Sequence, residues 1–440
     1  MRTIDMSSLH FLAGAFLLFQ PALQELGSSG DWPQFLGPQR TGQVAERELD
    51  LDWSDADPEV LWVAKVGEGF GGAAIKDGEV FVFDRDGETS DVLRVFDLET
   101  GAKLWSSSYE ANGRLNYRGT RSVPAVDGDS VYTLGGFGHV TCFDRKEHKI
   151  AWSVDLAEEY GGRMPMFGWS GNPVLLDGKL IVPVLGAEVG LLCLDPKSGE
   201  ELWITESVGF SHSTPALMNL LGKEQLVFLS TQESASGQDL AAPTTISSFD
   251  PQDGGLIWRT ESLFSRLPVP PPVQIGADRL FISGGYRAGS KMLRLRAEEE
   301  GYVIEEQFSS TRGSQTHVPL RHGDHLYVLV NENWNDARRR RGEGGLMCLS
   351  LDGKEVWRTG DDPFFGRGNA ILVGDHLLIQ DGHSGVLRTV RATPDSFQLI
   401  GEANIFEIDN RRDHQMWAPM ALSGNLLVMR SHNELRCVQL

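Results

Sequence analysis

Cysteine is scarce. The chain has four in 440 residues, Cys142, Cys193, Cys348 and Cys437, and no two are adjacent. None lies near the N-terminus, so no lipid-attachment site is readable there. Long apolar runs are also missing. Phe11 to Phe19 is the longest, far short of the roughly 20 residues a membrane-spanning helix needs. No stretch sustains an apolar period of 3.6, which argues against a helical chain. Basic residues are outnumbered, giving a formal net charge of −21. So acidic a chain disfavours nucleic acid and anionic membrane as partners, and self-repulsion favours a soluble monomer. The one basic run, Arg338 to Arg341, has Asn and Gly neighbours and reads as a solvated loop.

Glycine and proline are plentiful, at 50 and 20. Between them stand short segments rich in Val, Leu, Ile and Phe, the pattern of a turn-rich β protein. The N-terminus, with Arg2 ahead of its apolar stretch, reads as a secretory signal over residues 1–27 without a clear Ala-x-Ala cleavage site. Residues 28–58 form a lead-in. The expected location is periplasmic or extracellular, with no transmembrane segment in the mature chain.

Residues 59–440 are repetitive. VFDLETGAKLW ends at Trp105, CFDRKEHKIAW at Trp152, CLDPKSGEELW at Trp203 and SFDPQDGGLIW at Trp258. Each has an Asp eight positions before the Trp: Asp97, Asp144, Asp195 and Asp250. A shorter copy ends at Trp357 with Ser350 in the Asp column. A second phrase precedes each copy, anchored at Ala73, Pro124, Pro173, Pro215, Pro271, Pro319, Ala370 and Pro419. The eight anchors recur about every 49 residues, close to the length of a propeller blade. Each unit reads as four strands. The last unit has only three before Leu440, and PEVLWVAKV, with Trp62, matches the missing fourth. The expected fold is all-β: an eight-bladed β-propeller of four-stranded antiparallel blades. Its ring is closed by the N-terminal strand 60–66 beside strand 434–440, which leaves no open edge.

A recurring residue type implies a recurring task, and the task shared by stacked repeats is packing. The Asp accepts backbone hydrogen bonds in its turn, and the Trp fills the gap to the next blade. The cysteines share the third-strand column. Equivalent positions on packed sheets lie about 10 Å apart, whereas a disulfide needs Cα atoms within roughly 7 Å. Four unpaired buried thiols are expected.

The phrase Asp-x-x-x-Gly-x-x-x-Trp, best kept in Asp97 to Trp105 and Asp195 to Trp203, resembles the repeat of the pyrroloquinoline quinone (PQQ)-like propeller family. DWPQFLGPQRTG, Asp31 to Gly42, looks like the lead-in of exported bacterial members. That family includes PQQ-dependent alcohol dehydrogenases and BamB-like assembly scaffolds. The resemblance covers nearly all of residues 31–440 and carries fold, not chemistry.

Chemistry belongs to the residues that do not repeat. Those ahead of each first strand ring the channel mouth: Phe70, Arg118, Arg121, Trp169, Asn172, His212, Arg266, Gln315, His317, Arg367, Asn369, His414 and Trp417. Arg121, Trp169, Asn172, Arg367 and Trp417 are the candidate contacts to a flat anionic molecule, since Arg forks onto carboxylates and Trp offers a stacking face. The plain alternative is a channel that holds only water.

The resemblance implies three functions. The first is a non-catalytic scaffold that binds envelope proteins, BamB-like, with no cofactor and no metal. The second is a PQQ-dependent dehydrogenase holding PQQ with calcium. The third is a small-ligand or glycan-binding propeller. The dehydrogenase reading wants a Cys-Cys pair, a Cys-x-x-Cys-His haem motif in some members, and hard-oxygen ligands for Ca²⁺. The chain has neither motif, and its acidic mouth candidates are few: Glu68, Asp361, Asp362 and Asp413. The missing lipid-attachment Cys tells against a strict BamB role.

Overall fold

A computed structural model describes residues 30–232, 243–299, 301–331, 342–407 and 415–440. The signal reading at 1–27, the arginine run, His414 and Asp413 lie outside them.

Eight antiparallel sheets follow one another along the chain. Blade 1 comprises Ala73–Lys76, Glu79–Asp86, Ser90–Asp97 and Lys103–Glu110, hydrogen-bonded in that order, and blades 2 to 7 repeat the plan. Blade 8 is made of Ala421–Ser423, Leu426–Arg430 and Glu434–Gln439, completed by the N-terminal strand Val60–Lys65. The closing register pairs Trp62 with Cys437 and Lys65 with Glu434. Blade 7 has an unanticipated fifth strand. Gln43–Val44 of the lead-in runs parallel to its innermost strand, Asn369–Val373. Leu156–Tyr160, between blades 2 and 3, is a single helical turn capped by the Asp155 side chain.

The blades share one joint. The fourth strand steps out of register beside its Trp, so Trp152 lies opposite Cys142, Trp203 opposite Cys193 and Trp357 opposite Cys348. Such a bulge bends the strand locally, and the indole reaches the next blade. An Asp-x-x-x-Gly turn receives Trp152 and Trp203, while the Trp357 N–H donates to the Thr393 carbonyl at 3.0 Å. Asp195 accepts hydrogen bonds from the Lys197 and Ser198 amides, at 2.7 and 3.2 Å. Gly199 bonds back to the Asp195 carbonyl at 2.8 Å, with φ of +75°. A Cβ on Gly199 would stand 2.7 Å from the Trp152 ring. Glycine is therefore required twice, for its backbone and for its missing side chain. The Trp152 indole N–H donates to the Pro196 carbonyl at 3.1 Å. Trp62 makes the same joint across the ring closure, with Gly101 against its ring and the Leu98 carbonyl 2.8 Å away. In blade 1, hydrogen bonds from the Thr100 hydroxyl and amide hold the Asp97 carboxyl below its usual pKa.

Other joints are built differently. Phe308 replaces Trp in blade 5 and packs on Gly353. In blade 7, Gly401 occupies the Trp column, and Trp53 of the lead-in packs there instead, 3.0 Å from where a Cβ would be.

The lead-in also crosses the ring. Trp32 exchanges backbone hydrogen bonds with Ile75 of blade 1, and Pro33 accepts from Val126 of blade 2. Arg40 reaches the Leu175 carbonyl of blade 3, and Gly42 accepts from Leu372 of blade 7. Most of these contacts fall near the ends of innermost strands remote from the loops that enter them. The lead-in thus covers one end of the central channel.

All four cysteines are free and buried. Burial pushes the Cys193 and Cys437 thiols up to about 12 and those of Cys142 and Cys348 to about 11. Thiolate is the reactive form, so the folded protein should resist iodoacetamide. After denaturation without reductant, mass spectrometry should find four labelled cysteines; a disulfide-linked peptide pair would contradict the column.

Adjacent residues of one outer strand should behave oppositely. Trp203 is buried in the joint, whereas Leu202 is 47% exposed. Trp203→Ala should cost about 3–5 kcal/mol in chemical denaturation, and Leu202→Ala less than about 0.5 kcal/mol. Equal losses would show that the indole does not join the blades.

Candidate functional site

With one end covered, the channel is a blind cavity of about 190 Å³. Trp32, Phe35 and Leu36 of the lead-in form its floor, and its wall includes Ile371 of an innermost strand and Pro271, Val318 and Met420, which stand just ahead of theirs. The loops that enter those strands converge at the mouth. Phe70 stacks on Trp417 with ring centroids 5.2 Å apart and planes 22° apart. Tyr117 packs against both, at 6.1 and 5.5 Å, and Phe167 lies 5.7 Å from Tyr117. Four different inter-blade loops supply these rings.

Two guanidinium groups stand among them. Arg121 donates to the carbonyls of Gly119 and Tyr117 at 2.7 and 2.6 Å, and burial lowers its pKa to about 10. Arg367 lies 4.6 Å over the Trp417 ring and donates through Nε to Gln315 Oε1 at 2.9 Å. Among the described residues no aspartate, glutamate or lysine lines the cavity.

Two buried histidines also line it. His212 Nδ1 is 3.2 Å from the Ser170 hydroxyl, and burial lowers its pKa to about 4. His317 is 3% exposed, and burial lowers its pKa to about 3. Only the Ala370 backbone acts on His317, and neither ring nitrogen makes a hydrogen bond of ordinary geometry.

Of the five candidates, Arg121, Asn172, Arg367 and Trp417 line the cavity. Trp169 does not. Its ring is 1% exposed between blades 2 and 3, beside Gly138 and Gly162, and its N–H donates to the Val184 carbonyl at 3.2 Å. Those glycines open a slot for the indole, which makes Trp169 a packing residue. Asn172 has a structural part as well: it accepts from the Val123 amide at 2.6 Å and donates to Thr214 Oγ1 at 2.8 Å, tying blades 2, 3 and 4 together. Sequence reading missed Tyr117, Phe167 and Tyr286 and the floor residues. Their signal was an aromatic residue in a loop or lead-in, outside every repeat column.

The described mouth acids do not form a cation site. Glu68 stands 3.8 Å from both Arg118 and His432, and Asp361 accepts from the Gly342 amide at 2.6 Å. Among the described residues no cluster of three His, Cys, Asp or Glu side chains could hold a metal ion. A calcium ion needs several oxygen ligands, and the described wall residues offer no carboxylate. The residues present do not fit a PQQ–calcium pair.

The family model for the outer membrane protein assembly factor BamB matches residues 44–136 and 88–359, together well over half of the chain. The chain belongs to the BamB family. Solved structures agree on the fold. BamB from Moraxella catarrhalis is 14% identical with a TM-score of 0.57, over 88% of this chain and 98% of that one. A europium-containing methanol dehydrogenase is 11% identical with a TM-score of 0.63, over 93% and 98%. The quinohemoprotein alcohol dehydrogenase from Comamonas testosteroni is 12% identical with a TM-score of 0.61, over 94% and 81%. At these identities the likeness is one of fold, shared by assembly factor and dehydrogenases alike. No curated protein sequence matches this BamB-family chain.

The buried histidines have a pH signature. A histidine whose folded pKa lies below its unfolded value of about 6.5 is protonated more readily on unfolding. Stability is therefore full above pH 6.5 and falls as pH drops toward 4, by up to about 1.4 kcal/mol per unit of pKa difference. In His317→Phe the fall between pH 6.5 and 4 should be shallower than in the parent. Denaturation midpoints across that range read the slope, and identical slopes would mean that His317 is not buried neutral.

Proposed function

We propose that this BamB-family protein is a non-catalytic interaction scaffold of the cell envelope, located beyond the inner membrane. The observation that carries the reading is the BamB-model match over residues 44–359. It is joined by a channel wall whose described residues include none of the acidic groups quinone-dependent oxidation requires. Such oxidation needs a cation to polarise the quinone and a base to take the substrate proton. Among the described lining residues the histidines are the candidate bases, and no carboxylate accompanies them.

A scaffold needs surface rather than a reaction centre, and the outer strands supply it. Blade 3 exposes Leu202 and Ile204, and blade 4 exposes Leu256 and Leu263, the last at 67%. Leu202 and Ile204 flank the buried Trp203 on the same outer strand. No described helix is long and apolar enough to cross a membrane. The envelope partner is a protein, and its identity is open.

Removing the protein from its source organism should lower the amount of β-barrel protein in the outer membrane, measured by quantitative proteomics. The tagged full chain should crosslink to a component of that assembly machinery. Unchanged barrel levels with no such crosslink would remove the scaffold reading. In parallel, the purified chain with PQQ and Ca²⁺ should reduce no dye with a panel of alcohols and aldose sugars. Cofactor-dependent turnover would replace the scaffold with the dehydrogenase.

A further inference from the structure

We propose that the covered end of the channel carries a second site, a groove between the lead-in and blades 3 to 6 that binds an extended peptide of a partner protein, apolar with one acidic side chain. The inference rests on the scaffold reading for the partner's being a protein, and the groove lies on the far side of the floor from the mouth.

The first support is an incomplete pattern of strand addition. Ile75, Val126, Leu175 and Leu372 each stand one place before the closing pair of an inner hairpin. There each turns its backbone to the axis, and the lead-in meets all four. Trp32 exchanges bonds with Ile75 at 2.8 Å, and the Pro33 carbonyl accepts from Val126 at 2.8 Å. Arg40 donates to the Leu175 carbonyl at 2.9 Å, and the Gly42 carbonyl accepts from Leu372 at 2.9 Å. In blade 4 that place belongs to Asn219, whose amide and carbonyl are bonded by the Gln274 side chain at 2.9 and 2.7 Å. Backbone groups on one edge of a strand recur at every second residue, so Leu217 faces the same way. In blade 6 the place belongs to Arg321, just before the pair His322 and His325. Among the described residues no backbone bond from outside their own hairpins reaches Leu217 or Arg321. Both are half-buried, and an open strand edge is a template for an added strand.

The second support is shape. Leu217 and Arg321 line one groove of about 230 Å³. Phe35 and Leu36 of the lead-in, with Pro215 and Pro272 of the blades, give it an apolar lining that suits the side chains of an extended peptide. An occupant would lie beside the lead-in and continue its interface from blades 1 to 3 round to blade 6.

The third support is charge. Arg321 donates through Nε to the Gly323 carbonyl at 3.0 Å and makes no ion pair among the described residues. The lead-in shows the matching arrangement in blade 1, where Asp31, next to Trp32, pairs with Lys76 at 2.7 Å. A carboxylate on the peptide would take Arg321 likewise, through the guanidinium fork.

The lead-in's own sequence supplies the probe. The heptapeptide DWPQFLG, fluorescein-labelled and amidated, is titrated with the purified full chain and read by fluorescence anisotropy. It should bind. A copy N-methylated at its Trp and Gln amides should bind at least tenfold more weakly, and an Asp31→Asn copy several-fold more weakly. Ala216→Trp, which fills the groove, should lower affinity for the parent peptide at least tenfold. Arg321→Gln should lower it several-fold and abolish the preference for Asp over Asn; it serves should Ala216→Trp fail to fold. Absence of binding, equal binding of the N-methylated copy, or undiminished binding by the folded variants would each overturn the proposal. So would self-association of the chain that the peptide competes away, since the groove would then belong to a second copy. Peptide binding is read on the purified chain and barrel levels in the cell, so either reading can fail alone.

Discussion

Everything in this molecule hangs from an indole lodged under a glycine. Trp62, Trp152 and Trp203 each pass from the outer strand of one blade to the Asp-x-x-x-Gly turn of the next, where a Cβ would stand under 3 Å from the ring. A buried tryptophan removes on the order of 150–250 Å² of surface from water. No blade could bury that surface alone, so the blades stand or fall together. The aspartate acts on the same joint from within, since its carboxylate gathers the turn amides and fixes where the glycine lies. Closure follows from the same contact. Trp62 belongs to a strand far from the C-terminus in sequence, yet it completes blade 8 and docks on Gly101 of blade 1.

The joint explains its own exceptions. His148 takes the glycine position in blade 2, in a left-handed conformation, and its ring stacks on Trp105 at 4.8 Å with planes 10° apart. A flat imidazole covers the indole face that a glycine would leave to the backbone. In blade 7 the pattern inverts. The outer strand offers Gly401, and the lead-in brings Trp53 to it from outside the repeat. The Leu51 carbonyl is held there by the Thr389 hydroxyl at 2.7 Å. The lead-in is thus structural as well as obstructive: the same segment that supplies a missing indole also covers the channel.

Architecture was legible in the sequence because repetition makes a weak signal strong. One Asp-x-x-x-Gly turn means little, but its recurrence at blade spacing, with a tryptophan displaced to the front, implies eight blades and their closure. Phe308 and Gly401 escaped because they break the column, and Trp53 escaped because its partner is remote in sequence. The site was legible only in part. Of the residues picked for their position ahead of each first strand, Arg121, Asn172, Arg367 and Trp417 line one wall. The same rule misled for Trp169, whose direction is decided by two glycines on neighbouring segments, Gly138 and Gly162. Nothing local to Trp169 records that slot.

Fold likeness reaches from an outer-membrane assembly factor to methanol and alcohol dehydrogenases, and the joint shows why it stops short of chemistry. The residues that make a propeller lie in the turns and outer strands, remote from the axis. Those that face the axis answer to no packing rule shared between blades and are free to differ. Here the described ones include aromatic rings, arginine and histidine, with no carboxylate among them. Side chains of that kind do not assemble a hard cation site, because the ligands a calcium ion demands are oxygens that carry or share negative charge. The indole joints hold the ring closed whatever side chains face the axis, and for that reason the fold alone carries no activity.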